Sequence, residues 1–269
     1  MTAAAQDQAD LALALHAAKQ AGHILMRHWA ARSDLAITTK RAGDFLSQAD
    51  IEAETCLRGI LLEARPGDGW LGEETGSTPY APRRWIVDPL DGTTNFLRGI
   101  PHWAVSIALE VDGVRRIGVI HDPAKAEVFS ACLGAGAHLN GISIKVADTD
   151  SFASALFGTG IPFGGMAHIA DHAADIARLM PHCAGVRRMG AAALDLAYVA
   201  AGRLDGFWER RLRPWDIAAG LVVAHEAGAR IAALDPGDQP EKSGTVVTAT
   251  PTVFDRFACL LRDQPVNRA

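Results

Sequence analysis

The chain has 269 residues, 49% hydrophobic and 21% charged, enough for a sizeable core and unlike a disordered chain. Lys and Arg number 26 against 31 Asp and Glu, a net charge of −5, which argues against a broad nucleic-acid-binding face. No apolar run approaches ~20 residues, so nothing reads as a membrane span.

The first 31 residues read as an amphipathic helix over about 6–31, not a targeting segment. They lack a basic start, Asp7 and Asp10 precede the apolar part, and His16, Lys19 and Gln20 interrupt it. A cytoplasmic location follows by default. The four cysteines, Cys56, Cys132, Cys183 and Cys259, form no CxxC pair and are expected to be reduced, mostly buried thiols.

A polar stretch, TTKRAGDFLSQAD, leads to a second helix over about 49–64, capped by Ser47 or Asp50. WLGEE and RWIVDP read as strands, and GTTNFLRG as a short helix. From 103 to 139 the pattern is an antiparallel meander, with a hairpin at Asp112-Gly113. Strand and helix then alternate. ASALFGTG, GVRRM and LDGFWE are strands. MAHIADHAADIARLM, AAALDLAYVAAG and PWDIAAGLVVAHEAG are helices, the last with Pro214 in its first turn. ARIAAL and GTVVTAT are late strands, PTVFDRFACLLRDQ closes the chain, and GTGIPFGG is a loop. The first half is thus α+β and the second α/β with a partly parallel sheet. Two tightly packed subdomains are expected, 1–145 and 146–269.

Acidic residues fall at strand ends and helix starts: Glu73 and Glu74, Asp88 and Asp91, Glu209, Asp216 and Asp50. Singly, Asp216 could serve the helix dipole, Asp50 a cap, and Glu73 a loop. The pair Asp88 and Asp91 is harder to explain, since Pro89 stiffens the short link between them. Two carboxylates within ~5 Å repel unless protonated or bridged by a cation. A hard divalent ion is the simplest remedy, with the Leu90 carbonyl as a further ligand. The ten histidines are scattered, and His102 and His121 read as structural, so an oxygen-only site favours Mg²⁺ or Mn²⁺ over Zn²⁺.

Gly92 lets a ligand approach the backbone, and Thr93 and Thr94 open a helix whose N–H groups attract an anion. A cation site beside an anion site suits a phosphate ester. Thr93 with Asp50 are the candidates for orienting a water. No nucleotide P-loop, GxSxG or SxxK motif is present.

The runs GEE (72–74), DPLDGTTNF (88–96) and WDIAAG (215–220), in this order, resemble the inositol monophosphatase family. RRMGAAALDLAYVAAGRLDGFWE (187–209) and DFLSQAD (44–50) resemble it too, so the likeness runs from about residue 10 to 260. It implies the layered αβαβα sandwich of the lithium-sensitive, Mg²⁺-dependent phosphatases, shared with fructose-1,6-bisphosphatase. It implies that Glu73, Asp88, the Leu90 carbonyl, Asp91 and Asp216 hold two or three Mg²⁺ ions. Gly92 and Thr93 would bind phosphate, and Thr93 with Asp50 would position the water. Glu209 and the backbone of Gly190, Ala191 and Ala192 would contact substrate. Such proteins are usually homodimers.

The chain departs from the family at Gly190-Ala191, where a hydroxyl residue is usual, and it carries an unusually basic Arg210-Arg211. These arginines are either a solvated face or a contact for a second negative group. The function implied is Mg²⁺-dependent hydrolysis of a small polyol or sugar phosphate, inositol 1-phosphate first. Alternatives are histidinol phosphate, fructose 1,6-bisphosphate and nucleotide phosphates. From another class comes a regulatory partner of the transcription machinery, as for some bacterial relatives.

Overall fold

The computed structural model describes residues 2–32, 37–41, 44–79, 81–161 and 169–262. Helix α1 spans Ala3–Ala30, with the Thr2 side chain accepting from the Ala5 N–H. Its buried face is a stripe of small residues, Ala14, Ala17, Ala18, Ala21 and Leu25. Asp7 and Asp10 are not idle charges: Asp7 pairs with Arg116, and Asp10 with Arg65 and Arg83. The polar stretch before the second helix, read above only as a lead-in, is a two-stranded antiparallel hairpin, β1 (Ile37–Arg41) and β2 (Asp44–Ser47). Its sequence lacks the alternating apolar pattern that signals a strand. Helix α2 (Gln48–Ala64) follows, with a capping box between Ser47 and Asp50.

A first, eight-stranded sheet comes next. Its strands are β3 (Gly69–Gly72), β4 (Gly76–Ser77), β5 (Arg83–Asp91), β6 (Ala104–Val111), β7 (Val114–Asp122), β8 (Glu127–Cys132), β9 (Ala137–Leu139) and β10 (Ile142–Ile144). The spatial order is β10-β9-β8-β7-β6-β5-β3-β4, and β3 with β5 is its parallel pair. The hairpin at Asp112-Gly113 forms as expected, both residues with positive φ (51° and 76°). Helix α3 (Thr93–Arg98) interrupts between β5 and β6.

The second sheet has five strands in the order β12-β11-β13-β15-β14. They are β11 (Leu156–Thr159), β12 (Gly185–Arg187), β13 (Gly206–Arg210), β14 (Arg230–Ala232) and β15 (Thr245–Ala249). The pairs β11–β12 and β11–β13 are parallel and the others antiparallel. The helices are α4 (Ile169–Leu179), α5 (Ala192–Ala200), α6 (Pro214–Glu226), α7 (Pro240–Ser243) and α8 (Pro251–Arg262). Part of the 158–165 loop, and the start expected for α4, lie outside the described residues.

Four apolar clusters set the layers. Helices α1 and α2 pack on one face of the first sheet, through Leu25, Leu57, Val87 and Ile107. Its other face, with Ile86, Ala104 and Ala108, meets α5 and α6 through Ala193, Leu194 and Ala219. The far side of α5 and α6 covers the second sheet, through Leu196, Ile217, Phe207 and Val246. Helices α4 and α8 close that sheet with Leu179, Phe254 and Phe257 against Phe157 and Trp208. The result is the αβαβα sandwich. Its middle layer must be thin: a Cβ on Gly220 would meet Leu196 at 2.5 Å, so α5 and α6 touch closely because that position is glycine. Cys132 is buried as expected of the thiols, but Cys56 and Cys183 are half-buried and Cys259 is exposed on the solvent side of α8.

Candidate active site

The register of β5 explains why two aspartates crowd its end. In a regular strand, residues three apart point to opposite faces. Here Asp88 pairs with Ser106 but Asp91 with Ala104, so one extra residue is accommodated between them. That bulge at Pro89-Leu90 returns Asp91 to the face of Asp88. It is the face of Ile86 and Ala104, turned toward α5 and α6. Strand β3, parallel beside β5, delivers Glu73, whose N–H donates to the Val87 carbonyl at 3.2 Å.

Gly92 follows with φ +92°, and a Cβ there would meet the His102 carbonyl at 2.9 Å. Only a glycine turns the chain so tightly into α3. The Thr93 hydroxyl lies 3.0 Å from the Leu90 carbonyl and 3.3 Å from Asp50 Oδ1. Its proton is therefore given to one of these acceptors. Asp50 is 1% exposed, and its other oxygen accepts from the Ser47 N–H at 2.9 Å. The cap fixes the carboxylate behind Thr93, so capping a helix does not keep Asp50 from facing that hydroxyl. Asp216 does likewise at the start of α6, where its carboxylate accepts from the Arg213 N–H at 2.6 Å.

A cleft of about 840 Å³ opens over these residues. Glu73, Asp88, Leu90, Asp91, Gly92, Thr93, Thr94, Gly190, Ala191, Ala192, Glu209 and Asp216 all line it. Of the acids singled out from sequence, Asp50 and Glu74 stand off the wall, and Asp50 is reached through Thr93. Among the described residues, no three acidic, His or Cys side chains gather in ligating geometry. Asp88 instead accepts from the Leu90 N–H at 2.9 Å, and Asp91 from the Ala193 N–H at 2.7 Å.

Electrostatics nevertheless ties the acids together. Burial, then the charges of Glu73, Asp91 and Asp216, push Asp88 well above the ordinary carboxylate range. Burial and Asp216 push Asp91 up to about 8, against the pull of the Ala193 and Ala192 N–H groups. Glu209 is raised by burial, Asp216 and Asp91. So many acidic groups facing one cleft, each raised by its neighbours, fit a hard cation. The donors are all oxygen, which suits Mg²⁺ or Mn²⁺.

Three contributors were missed from sequence. Glu54 of α2 is fully buried and accepts from the N–H groups of Glu74 and Thr75, each at 2.8 Å, pinning the turn that carries Glu73. Asn95 of α3 donates to the carbonyls of His102 and Met189, each at 2.8 Å, joining the DGTTNF helix to the Gly190 loop. Asp195 of α5 is buried with both carboxylate oxygens lacking a hydrogen bond, and is raised by burial, Glu209 and Asp91. Glu54 lay inside the helix expected over 49–64 and Asn95 inside DPLDGTTNF, but their partners are distant in sequence. No local signal marks Asp195. The neighbours Arg210 and Arg211 part company: Arg210 pairs with buried Asp175, while Arg211 lines the cleft.

Carboxylates beside helix N–H groups on a five-layer sandwich define a hydrolase that takes phosphate esters, a phosphatase. The model described as the inositol monophosphatase family matches residues 6–265, and the chain belongs to that family. It is 44% identical over 241 residues to the inositol-1-monophosphatase of Mesorhizobium japonicum, covering 89% of this chain and 91% of that one. It is 36% identical over 256 residues to the Nus factor SuhB of Salmonella typhimurium, covering 94% and 96%. The crystal structure of extragenic suppressor protein suhB from Bartonella henselae superposes with a TM-score of 0.91 at 37% identity, covering 95% and 99%.

Proposed function

We propose that the chain is a Mg²⁺-dependent phosphomonoesterase acting on a small polyol phosphate, with inositol 1-phosphate first. The observation that carries this is Thr93. Its hydroxyl is set between Asp50 and the Leu90 carbonyl, on the wall of a cleft walled by Glu73, Asp88, Asp91 and Asp216. With its own proton directed at Asp50, the Thr93 oxygen can accept the hydrogen bond of a water in the cleft. As that water attacks, its proton passes to Thr93 while the Thr93 proton passes to the Asp50 carboxylate, which Ser47 holds in place.

Two or three Mg²⁺ ions would be held by Glu73, Asp88, the Leu90 carbonyl, Asp91 and Asp216. When bound they polarise the phosphoryl oxygens and lower the pKa of the attacking water. The N–H groups of Gly92, Thr93 and Thr94 hold the phosphate in line. Glu209 receives a polyol hydroxyl, and the backbone of Gly190, Ala191 and Ala192 faces the ring. Ala191 brings no hydroxyl of its own, so the polyol is held chiefly by Glu209 and backbone groups. A homodimer and a cytoplasmic location accompany this reading. No helix among the described residues is long and apolar enough to cross a membrane. A second role beside the transcription machinery draws support only from the names of the SuhB relatives, not from a residue of the site.

The test is phosphate release from inositol 1-phosphate, histidinol phosphate, fructose 1,6-bisphosphate and 3′-phosphoadenosine 5′-phosphate, each with Mg²⁺, with chelator and with added Li⁺. Release from inositol 1-phosphate that needs Mg²⁺ and falls with Li⁺ is expected. Absence of Mg²⁺-dependent release from all four would refute the proposal.

A further inference from the structure

The run Glu209-Arg210-Arg211-Leu212-Arg213 carries three arginines, and the fold sends them to different places. Arg210 closes β13 and is spent on Asp175, which also accepts from Trp208 Nε1 at 3.1 Å. Arg211 does not continue the strand. Its φ is +63°, a left-handed conformation that a residue with a Cβ rarely adopts. Such conformations cluster at ligand sites, where the surrounding structure enforces them. The turn takes Arg211 to the cleft wall, where Arg213 and Lys242 also lie. All three are exposed. Among the described residues, neither Arg211 nor Lys242 takes part in a salt bridge. The acid next to Lys242, Glu241, also lines the cleft and is turned to Arg115 of β7. Arg188, also on the wall, is a different case, because its charge acts on Glu209 and Asp195.

The Leu212 N–H donates to the Gly244 carbonyl at 2.8 Å, which sets the arginine turn beside the helix of Lys242. The cleft thus carries both signs, with Glu73, Asp88, Asp91 and Asp216 on its wall together with Arg211, Arg213 and Lys242. Its volume of about 840 Å³ lies toward the upper end of the range for small-molecule sites, so a single phosphate and ring do not fill it. We infer that Arg211, Arg213 and Lys242 form a second anion subsite, favouring polyol phosphates that carry a further phosphate or carboxylate remote from the scissile ester. This rests on the phosphomonoesterase reading above. A guanidinium fork binds either anion through paired N–H groups, and the lysine adds a point charge. Because the rim is wet, the preference is moderate and weakens with salt.

Two matched pairs of probes test it. One is 6-phosphogluconate against glucitol 6-phosphate, which differ by a carboxylate in place of a primary alcohol. The other is inositol 1,4-bisphosphate against inositol 1-phosphate. Within one protein, the ratio of kcat/KM in a pair cancels any general loss of activity. The wild type is expected to favour the extra anion by about tenfold, mostly through KM. Arg211→Gly and Lys242→Ala should each lower that ratio by about threefold or more, and glycine accepts the left-handed backbone without strain. A preference within both pairs supports a general anion subsite, and one confined to the bisphosphate supports a phosphate-selective subsite. Ratios near one in the wild type, or unmoved in both variants, overturn it. If no probe releases phosphate with Mg²⁺, the phosphomonoesterase reading fails, and calorimetric binding of the same pairs decides the subsite. Tighter binding of the extra-anion member, lost in Arg211→Gly, sustains it; equal binding refutes it.

Discussion

Asn95→Asp is nearly isosteric, yet it should strike both the stability of the site and its affinity for substrate. The Asn95 side-chain N–H₂ donates to two carbonyls at 2.8 Å, those of His102 and Met189. Aspartate keeps the shape and removes both donors. Each lost bond is worth about 1 kcal/mol net, and a buried carbonyl left unpaired adds about 1 more. Total destabilisation of about 3 kcal/mol follows, or roughly 6–12 °C in Tm for a domain of this size. The Gly190 loop that lines the cleft also loses its tie to α3. KM for inositol 1-phosphate should therefore rise by about tenfold while kcat falls less, since the residues around Thr93 are untouched. Thermal unfolding by circular dichroism and steady-state kinetics read the two effects. A Tm within about 2 °C of wild type together with an unchanged KM would show that this bridge is not what holds the loop.

Asp91→Asn should abolish activity by orders of magnitude, yet leave metal-free protein at least as stable, because it removes like-charge repulsion while keeping an acceptor for the Ala193 N–H. Unfolding of the metal-free variant would contradict that. His102 gives the third prediction. Burial, then the charge of Lys125, lowers its pKa to about 4, against about 6.5 in the unfolded chain. Between these values the unfolded state binds a proton that the folded state refuses, so this histidine's contribution is full above pH ~6.5 and falls as pH drops toward 4. The loss approaches about 3 kcal/mol at the low end, and urea unfolding at pH 7 and pH 4.5 should show a larger drop for wild type than for His102→Gln. Equal drops would remove His102 from the account.

Local chemistry was easy to read from sequence, and long-range closure was not. Pro89, Gly92 and the Asp112-Gly113 hairpin announce their backbone through residue type alone. The acids announce themselves by falling at strand ends. What residue type could not reveal is the bulge that turns Asp91 to the face of Asp88, because register is a property of two strands. Glu54 reads as one more charge on a helix until its partners, about twenty residues on, fold beneath it. Arg210 and Arg211 are inseparable on paper, and a single positive φ separates them. The hairpin β1–β2 escaped notice because its sequence, ITTKR and DFLS, lacks an alternating apolar pattern.

Helices α5 and α6 are covered by a sheet on either side, and their first turns meet the cleft at Ala192 and Asp216. A layer held on both faces cannot slide without opening two cores at once. The acidic wall of the cleft is therefore tied to the innermost layer through Asp216 and the Ala193 N–H, whereas Arg211 and Lys242 lie on a turn and a one-turn helix. Replacement there can retune which molecules enter while the chemistry they meet stays the same. One sandwich can in this way diversify its diet by editing a handful of peripheral side chains.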